Sequence, residues 1–462
     1  MVPIAARKPR GGFSRGVLLL ALSFMASKTM AGSFAPLRYD DDFRDAENKS
    51  DVYSGLKYIS LGDSRRYMSL GGDIRERVEY YSNSNISKQA VQDDTFALHR
   101  FLIHADVHFD DVRAFIQLGV HDETGREPKA KPTDIDGPDI QQAFLDYTLR
   151  LNEDSLLFRV GRQEMTYGAS RLITTRDGPN IRLAFDGIRA IYKSPQWTVS
   201  TFVMRPVDIR RNSFDDKSNQ DQSLWGVYGT SQVSALPGTS TDLYYFGTTN
   251  KEAKYTALSG SENRHTFGAR LYGKSGAFDG DIELMLQGGS IEDKDVRAFA
   301  LATDTGWTFD TVPWKPRLGL KTDIISGDKN PNDGKQGTFN ALYPNGSYFS
   351  EASVVAQANL IDLAASVTVK PQSNLSVALS LNPMWRYSKE DAVYTLPLSP
   401  LIGPEASSSR YIGTQAQLLT NWQYNNHVSF KVALVRFQAG TFVEQSGGRD
   451  ISYAQFTTSI RF

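Results

Sequence analysis

The sequence predicts an all-β chain closed into a transmembrane antiparallel up-and-down β-barrel of about 18 strands. Three observations predict it. Run after run alternates apolar and polar residues with period two. A secretory-type leader precedes a chain that has no cysteine. The last alternating run, "ISYAQFTTSIRF", finishes on Phe462 with Ile460 and Phe456 on one face, a terminal strand of the kind that ends bacterial outer-membrane barrels. Mean hydropathy is −0.38, and no stretch after the leader approaches the roughly 18 apolar residues of a membrane helix. Helical spans are therefore excluded, whereas strand spans are not, because half of each barrel strand can face water.

Residues 1–31 are expected to form the leader, a secretory signal peptide. Arg7, Lys8, Arg10 and Arg15 precede the apolar run Val17–Ala26, too short for a span, and Thr29-Met30-Ala31 offers small residues at the cleavage positions. The leader takes five of the 51 basic residues, counting Lys28, which leaves 46 against 52 acidic ones. A mature chain near −6 argues against nucleic-acid binding. Without thiols, an exported chain of this size holds together by hydrogen bonds and packing alone. Residues 32–66 are expected to form a short periplasmic or partly inserted segment, too short for a plug domain, and 67–462 the barrel.

The stretch Ser69–Tyr81 ("SLGGDIRERVEYY") shows the two faces of a stave: Leu70, Ile74 and Val78 alternate with Asp73, Arg75, Arg77 and Glu79. Tight-turn chemistry follows at Asp110-Asp111, Leu151–Ser155, Lys193–Trp197, Leu236–Thr241, Gly273–Gly280, Val312–Arg317, Lys370–Ser376 and Tyr424–His427. Longer polar stretches separate these turns: Ser82–Thr95, Asp122–Asp139, Ile209–Ser223, Gly327–Ser347 and Lys389–Ser409. Eight hairpins plus the first and last runs make eighteen strands, with both ends on the periplasmic side and sixteen strands as the alternative count. A closed sheet also satisfies every backbone group in hydrocarbon. A soluble propeller would need a repeated blade signature, and none is present.

The same parity assigns the lumen. Arg75, Arg77, Arg100, Arg113, Arg159, Arg189 and Lys321 are expected to point inward, because an arginine at mid-bilayer on the lipid face would cost about 2–4 kcal/mol. Inward bases outnumber inward acids in this reading, which predicts an electropositive, anion-drawing passage. Arginine forks bind carboxylates bidentately, so organic acids and uronate sugars both fit.

Several blocks resemble the bacterial alginate export family of outer-membrane proteins: "LRYDDDF" (Leu37–Phe43), "LKYISLG" (Leu56–Gly62), "YMSLGGDIRERVEYY" (Tyr67–Tyr81), "GREP" (Gly125–Pro128), "FRVGRQEMTYGASRLITTRDGPNIRLAFDGIR" (Phe158–Arg189) and "FNALYPNGSYFSE" with "NLIDL" beyond it. The resemblance runs from near Leu37 to the C-terminus. It implies an eighteen-stranded, monomeric barrel whose arginine-rich constriction passes anionic polyuronate, with periplasmic export proteins as possible partners. It also implies Arg162, Asp177, Asn180 and Arg436 as constriction residues. Arg162 shares parity with Phe158 and Val160, so it reaches the lumen only past a bulge or at the rim; Arg436 likewise shares parity with Leu434. The chain departs from the family pattern at Gln141 and Gln438, where the alginate exporter carries arginines.

No cofactor or metal is expected. His104 and His108 share a face about 13 Å apart at ~3.3 Å per residue, too far for one ion, and His99 has the opposite parity. The calcium-loop-like Ser326–Phe339 carries its glycine one place late and has Phe339 where a bidentate glutamate belongs. The segment around Phe339–Glu351 is expected to fold inward as a gate. A general porin for organic acids remains the alternative transport reading. An outer-membrane hydrolase is the alternative from another class, for which the sequence offers no nucleophile motif.

Overall fold

The structure, a computed structural model, describes residues 34–43 and 52–462; the expected leader lies outside the described residues. In chain order the barrel strands are β1 (Arg66–Asn83), β2 (Gln92–Phe109), β3 (Val112–Thr124), β4 (Asp136–Leu151), β5 (Asp154–Gln163), β6 (Phe185–Lys193), β7 (Trp197–Asp208), β8 (Gln222–Gln232) and β9 (Thr239–Lys254). They continue as β10 (Ser259–Ser275), β11 (Phe278–Ile291), β12 (Lys294–Thr308), β13 (Arg317–Ile325), β14 (Leu360–Gln372), β15 (Leu375–Arg386), β16 (Tyr411–Gln423), β17 (Val428–Ala439) and β18 (Ile451–Arg461). Each pairs antiparallel with its predecessor, and β18 closes on β1 from Asp73↔Arg461 to Tyr81↔Tyr453. Reciprocal backbone bonds between Gly72 and Phe462 (2.7 and 3.0 Å) complete the seam. The result is an eighteen-strand antiparallel barrel.

All eight expected tight turns join successive strands. The first two polar stretches are shorter as loops than the sequence predicts: β1 runs to Asn83, β2 begins at Gln92, β3 runs to Thr124 and β4 begins at Asp136. Polar residues continue the ladder there because strands can project beyond hydrocarbon into water, where hydropathy no longer marks their ends.

The outward parity is an apolar band. Ile116, Leu145, Val160, Ile188, Val203, Leu243, Phe267, Leu379 and Leu434 are all exposed, as side chains that meet lipid must be. Trp197, Trp307, Trp314, Trp422 and Tyr424 sit at the periplasmic turns, where amphipathic rings favour the membrane interface.

Of the segment expected over 32–66, the described residues 34–43 and 52–65 lie against the periplasmic end of the barrel. A 3-10 turn (Arg38–Asp40) and helix α1 (Val52–Lys57) lie against the barrel. Arg38 ion-pairs with Asp41 and Asp73 (2.9 and 2.7 Å) and donates to the carbonyls of Gly72 and Phe462. Tyr39 packs edge-on against Phe115 and Phe144, lies beneath the Arg159 guanidinium, and donates its hydroxyl to the Glu164 carbonyl.

Candidate functional site: a constriction built from two inward loops

The loop after β5, residues 164–184 (L3), does not run over the outside. Met165, Leu172, Ile173 and Ile181 are too apolar for a solvated loop, and all four are buried. Met165, Leu172 and Ile173 join Phe185, Phe202, Met204, Tyr228 and Phe246 from the inner wall in one hydrophobic cluster, which supplies the free energy for folding L3 into the lumen. The loop between β13 and β14, residues 326–359 (L7), enters from the opposite side, as expected for the segment around Phe339–Glu351. The two meet in a parallel bridge at Ile173↔Tyr343, with Tyr343 N–H donating to the Leu172 carbonyl (2.8 Å) and Thr174 N–H to that of Tyr343 (3.1 Å).

Charge fixes both loops to the wall. Arg75 donates to the carbonyls of Asp177 and Pro179 and to Asn180 Oδ1; Arg77 donates to the Gly178 carbonyl; Arg100 donates to the Asn180 and Pro179 carbonyls and to Asp177 Oδ1 (2.6 Å). Arg182, from L3 itself, reaches the same carboxylate at 2.9 Å and Glu164 at 3.4 Å. The Asp177 side chain is nevertheless 51% exposed to the lumen. The barrel wall enclosing it disfavours its charge, but Arg100, Arg182, Arg75 and Arg77 outweigh that penalty and hold its carboxyl well below the usual range. Asn180 is fully buried. Its amide donates to the carbonyls of His99, Asp122 and Asp134 (2.9, 3.1 and 3.0 Å).

Across the lumen, Arg171 of L3 bonds Asp281, Glu283 and the Tyr348 hydroxyl. Lys321 donates to the Tyr348 carbonyl and lies 3.2 Å from the centroid of that ring. Lys431 pairs with Glu351, and Ser350 bonds Gln415. Arg176 has no acidic partner among the described residues; burial, partly opposed by the Tyr343 ring, pulls its guanidinium down to about 10. Among the described residues, the ring around Asp177 thus holds four guanidiniums, those of Arg75, Arg77, Arg100 and Arg182, with the carboxylates of Glu79 and Glu164 paired to two of them, while Arg176 turns to the Leu342 carbonyl and the Tyr343 ring.

The remaining sequence-derived candidates are placed as follows. Arg113 and Arg159 face inward but are engaged, by Asp106 and by Asp146 respectively, beside the seated N-terminal segment. Arg189 donates to Ser200 and lies over the Tyr167 ring. Arg162 and Arg436 stand apart from the constriction. The β5 ladder stays in register through Gln163, so no bulge turns Arg162 inward; it pairs with Asp186 at the extracellular end of the outward face. Arg436 is outward too, and pairs with Asp450. Gln141, one of the two departures, donates to Glu164 and to the Arg182 carbonyl.

The lumen is also less one-sided in charge than parity alone predicts. Asp242 and Asp281 engage Arg270, Asp279 and Asp304 engage Arg317, and Glu262 engages Arg264. Arg171, Arg176, Arg182 and Glu164 were not among the expected site residues. The signal for them was the unusual apolar content of L3, which marks it as an interior loop carrying its polar residues inward.

A closed barrel with an apolar outer band and two loops crossing its lumen defines an outer-membrane channel of the Gram-negative type. The chain belongs to the alginate export family, whose model matches residues 66–457. Among solved structures it is similar to Pseudomonas aeruginosa OccK11 (OpdR), at 10% identity and a TM-score of 0.54 over 86% of this chain and 95% of that one. It is also similar to P. aeruginosa OccD3 (OpdP), at 11% identity and 0.55 over 85% and 91%, and to OpdK of the same organism, solved with vanillate, at 11% and 0.52 over 85% and 98%. At these identities the likeness is one of fold. No curated protein matches the chain.

Proposed function

We propose that this channel passes anionic polyuronate outward, as a single chain fed by periplasmic export proteins, and that Asp177 marks where a cargo carboxylate is held. The observation that carries this reading is the ring of Arg75, Arg77, Arg100 and Arg182 around a carboxylate that is itself open to the lumen. A uronate unit carries the same group, and guanidinium forks match it geometrically. Arg176 adds a positive charge with no acidic partner among the described residues, while Asn180 holds the loop in place. Arg113, Arg159, Arg189 and Lys321 line the approach on the periplasmic side. No catalytic step is assigned to any residue.

Replacing Asp177 by asparagine tests the reading. At about 8 Å and an effective dielectric near 20, one unit charge acts on a passing ion by about 2 kcal/mol before salt screening. The anion-over-cation permeability ratio, read from the reversal potential in a salt gradient, is therefore expected to rise by up to about tenfold at low salt. Polyuronate oligomers are expected to block the variant at lower concentration than the wild type. A shift toward cations, or no shift, overturns the role of the ring.

A second reading, a channel for small organic acids, draws on the Ile173↔Tyr343 bridge. A polymer requires the two loops to part further than a small acid does. Block that strengthens with oligomer length favours polyuronate; block by monomeric acids alone favours the second reading.

A further inference from the structure

Four aspartates that play no part in the constriction gather at the extracellular rim: Asp136 and Asp139 at the start of β4, and Asp215 and Asp216 in the loop after β7 (residues 209–221, L4). One carboxylate oxygen from each lies within 4.8 Å of all the others. Clustered acids are common on surfaces, but Asp136 is not a surface residue. It is 3% exposed, its Oδ1 is buried without a hydrogen-bond partner, and no cation pairs with it among the described residues. Asp215 Oδ1 is likewise buried and unbonded.

The other oxygens are oriented by the backbone. Asp139 Oδ2 accepts from the N–H groups of Asp215 and Asp216 (2.8 and 3.2 Å), and Asp216 Oδ1 from that of Arg210. Asp215 Oδ2 accepts from the Asn212 side chain. The guanidinium of Arg162 is committed to Asp186 and comes only to 4.0 Å of Asp139. A buried carboxylate left without a cation is costly, so the arrangement lacks a positive charge at its centre.

We propose that Asp136, Asp139, Asp215 and Asp216 bind a divalent cation of calcium's size. Ca–O distances of about 2.3–2.6 Å allow ligands up to roughly 4.6–5.2 Å apart, and the four oxygens all lie within 4.8 Å of one another. Magnesium keeps most of its waters and is usually held by one or two carboxylates, so a set of four carboxylates suits calcium better. The ion joins L4 to the start of β4, where Gly137 N–H already donates to the Arg211 carbonyl and Phe214 N–H to that of Pro138. That stretch in turn holds L3, through Ile181 N–H to the Thr133 carbonyl and Asn180 N–H to Asp134. The cation therefore braces the constriction loop from behind, whatever the cargo.

The test is equilibrium dialysis of the full-length, metal-stripped barrel in detergent against radioactive calcium. One saturable site is expected, half-filled at about 10⁻⁴–10⁻³ M, the range of extracellular calcium modules. Asp136→Asn and Asp215→Asn are each expected to weaken it by about tenfold or more, since each removes a charged oxygen ligand. Asp328→Asn, in the calcium-loop-like stretch, leaves it unchanged, and excess magnesium does not compete. Absence of a saturable site in the wild type overturns the proposal, as does wild-type binding by either rim variant. Heat-modifiable gel mobility identifies folded barrels; if Asp136→Asn fails to fold, the part-exposed Asp215→Asn decides the question.

Discussion

Replacing Asn180 by alanine is expected to release L3 from the wall, giving larger and noisier single-channel currents from a barrel that still folds. Asn180 is fully buried, and its amide serves three carbonyls on three segments, those of His99 on β2, Asp122 on β3 and Asp134 before β4. Its side-chain oxygen also accepts from Arg75. Alanine removes the bonds to the three carbonyls and offers no replacement volume, while Arg75 keeps its bonds to the Asp177 and Pro179 carbonyls. At about 1–3 kcal/mol for each unsatisfied buried group, the docked loop loses roughly 3–6 kcal/mol. The barrel ladder does not depend on this side chain, so heat-modifiable mobility and the β-type circular dichroism spectrum remain. Planar-bilayer recording checks the prediction. A conductance and noise spectrum equal to the wild type would mean that the apolar cluster around Ile173 and Tyr343 holds L3 unaided.

Replacing Arg38 by alanine is expected to unseat the N-terminal segment from the periplasmic mouth. Arg38 is 2% exposed and joins four groups: Asp41, Asp73, and the carbonyls of Gly72 and Phe462. Removing one partner of a buried pair typically costs about 3–5 kcal/mol, because the other charge stays behind. Asp73 retains Arg461 at 3.1 Å, so the strand ends stay paired while the segment loses its hold. Chymotrypsin is expected to cut the variant near Tyr39 and Phe43 under conditions in which the wild type is resistant. Equal resistance would show that the Tyr39 ring, packed against Phe115 and Phe144, suffices as an anchor.

Much of the barrel was legible in the sequence because its rule is local. Period two decides which side chain meets lipid, and Gly, Pro, Asn and Asp chemistry marks the turns, so the eight hairpins and the inward parity of Arg75, Arg77 and Arg100 follow without knowledge of the fold. Parity assigns a face but not a partner. That Arg75 and Arg100 grip the backbone of L3, and that Arg270 and Arg317 are engaged by acids on neighbouring strands, depends on cross-lumen and cross-strand register. Asp177 and Asn180 were reached through the family's motif rather than through periodicity. Arg162, reached in the same way, kept the outward face that its parity indicates. The acidic rim escaped because Asp136 and Asp215 are far apart in sequence and only the docking of L4 brings them together.

The seam carries a consequence for the order of assembly. Arg38 donates to the carbonyl of Phe462, a contact spanning 424 residues, and Gly72 bonds the same terminal residue. Neither acceptor is in place until the last strand has been delivered and zipped against the first. Contacts this distant along the chain form late, since the entropy of closing the intervening loop must be met first. The bond from Arg38 to Phe462 therefore reports a completed cylinder, whereas the seating of Tyr39 on Phe115 and Phe144 and of Arg38 on Asp41 and Asp73 involves no part of the last strand.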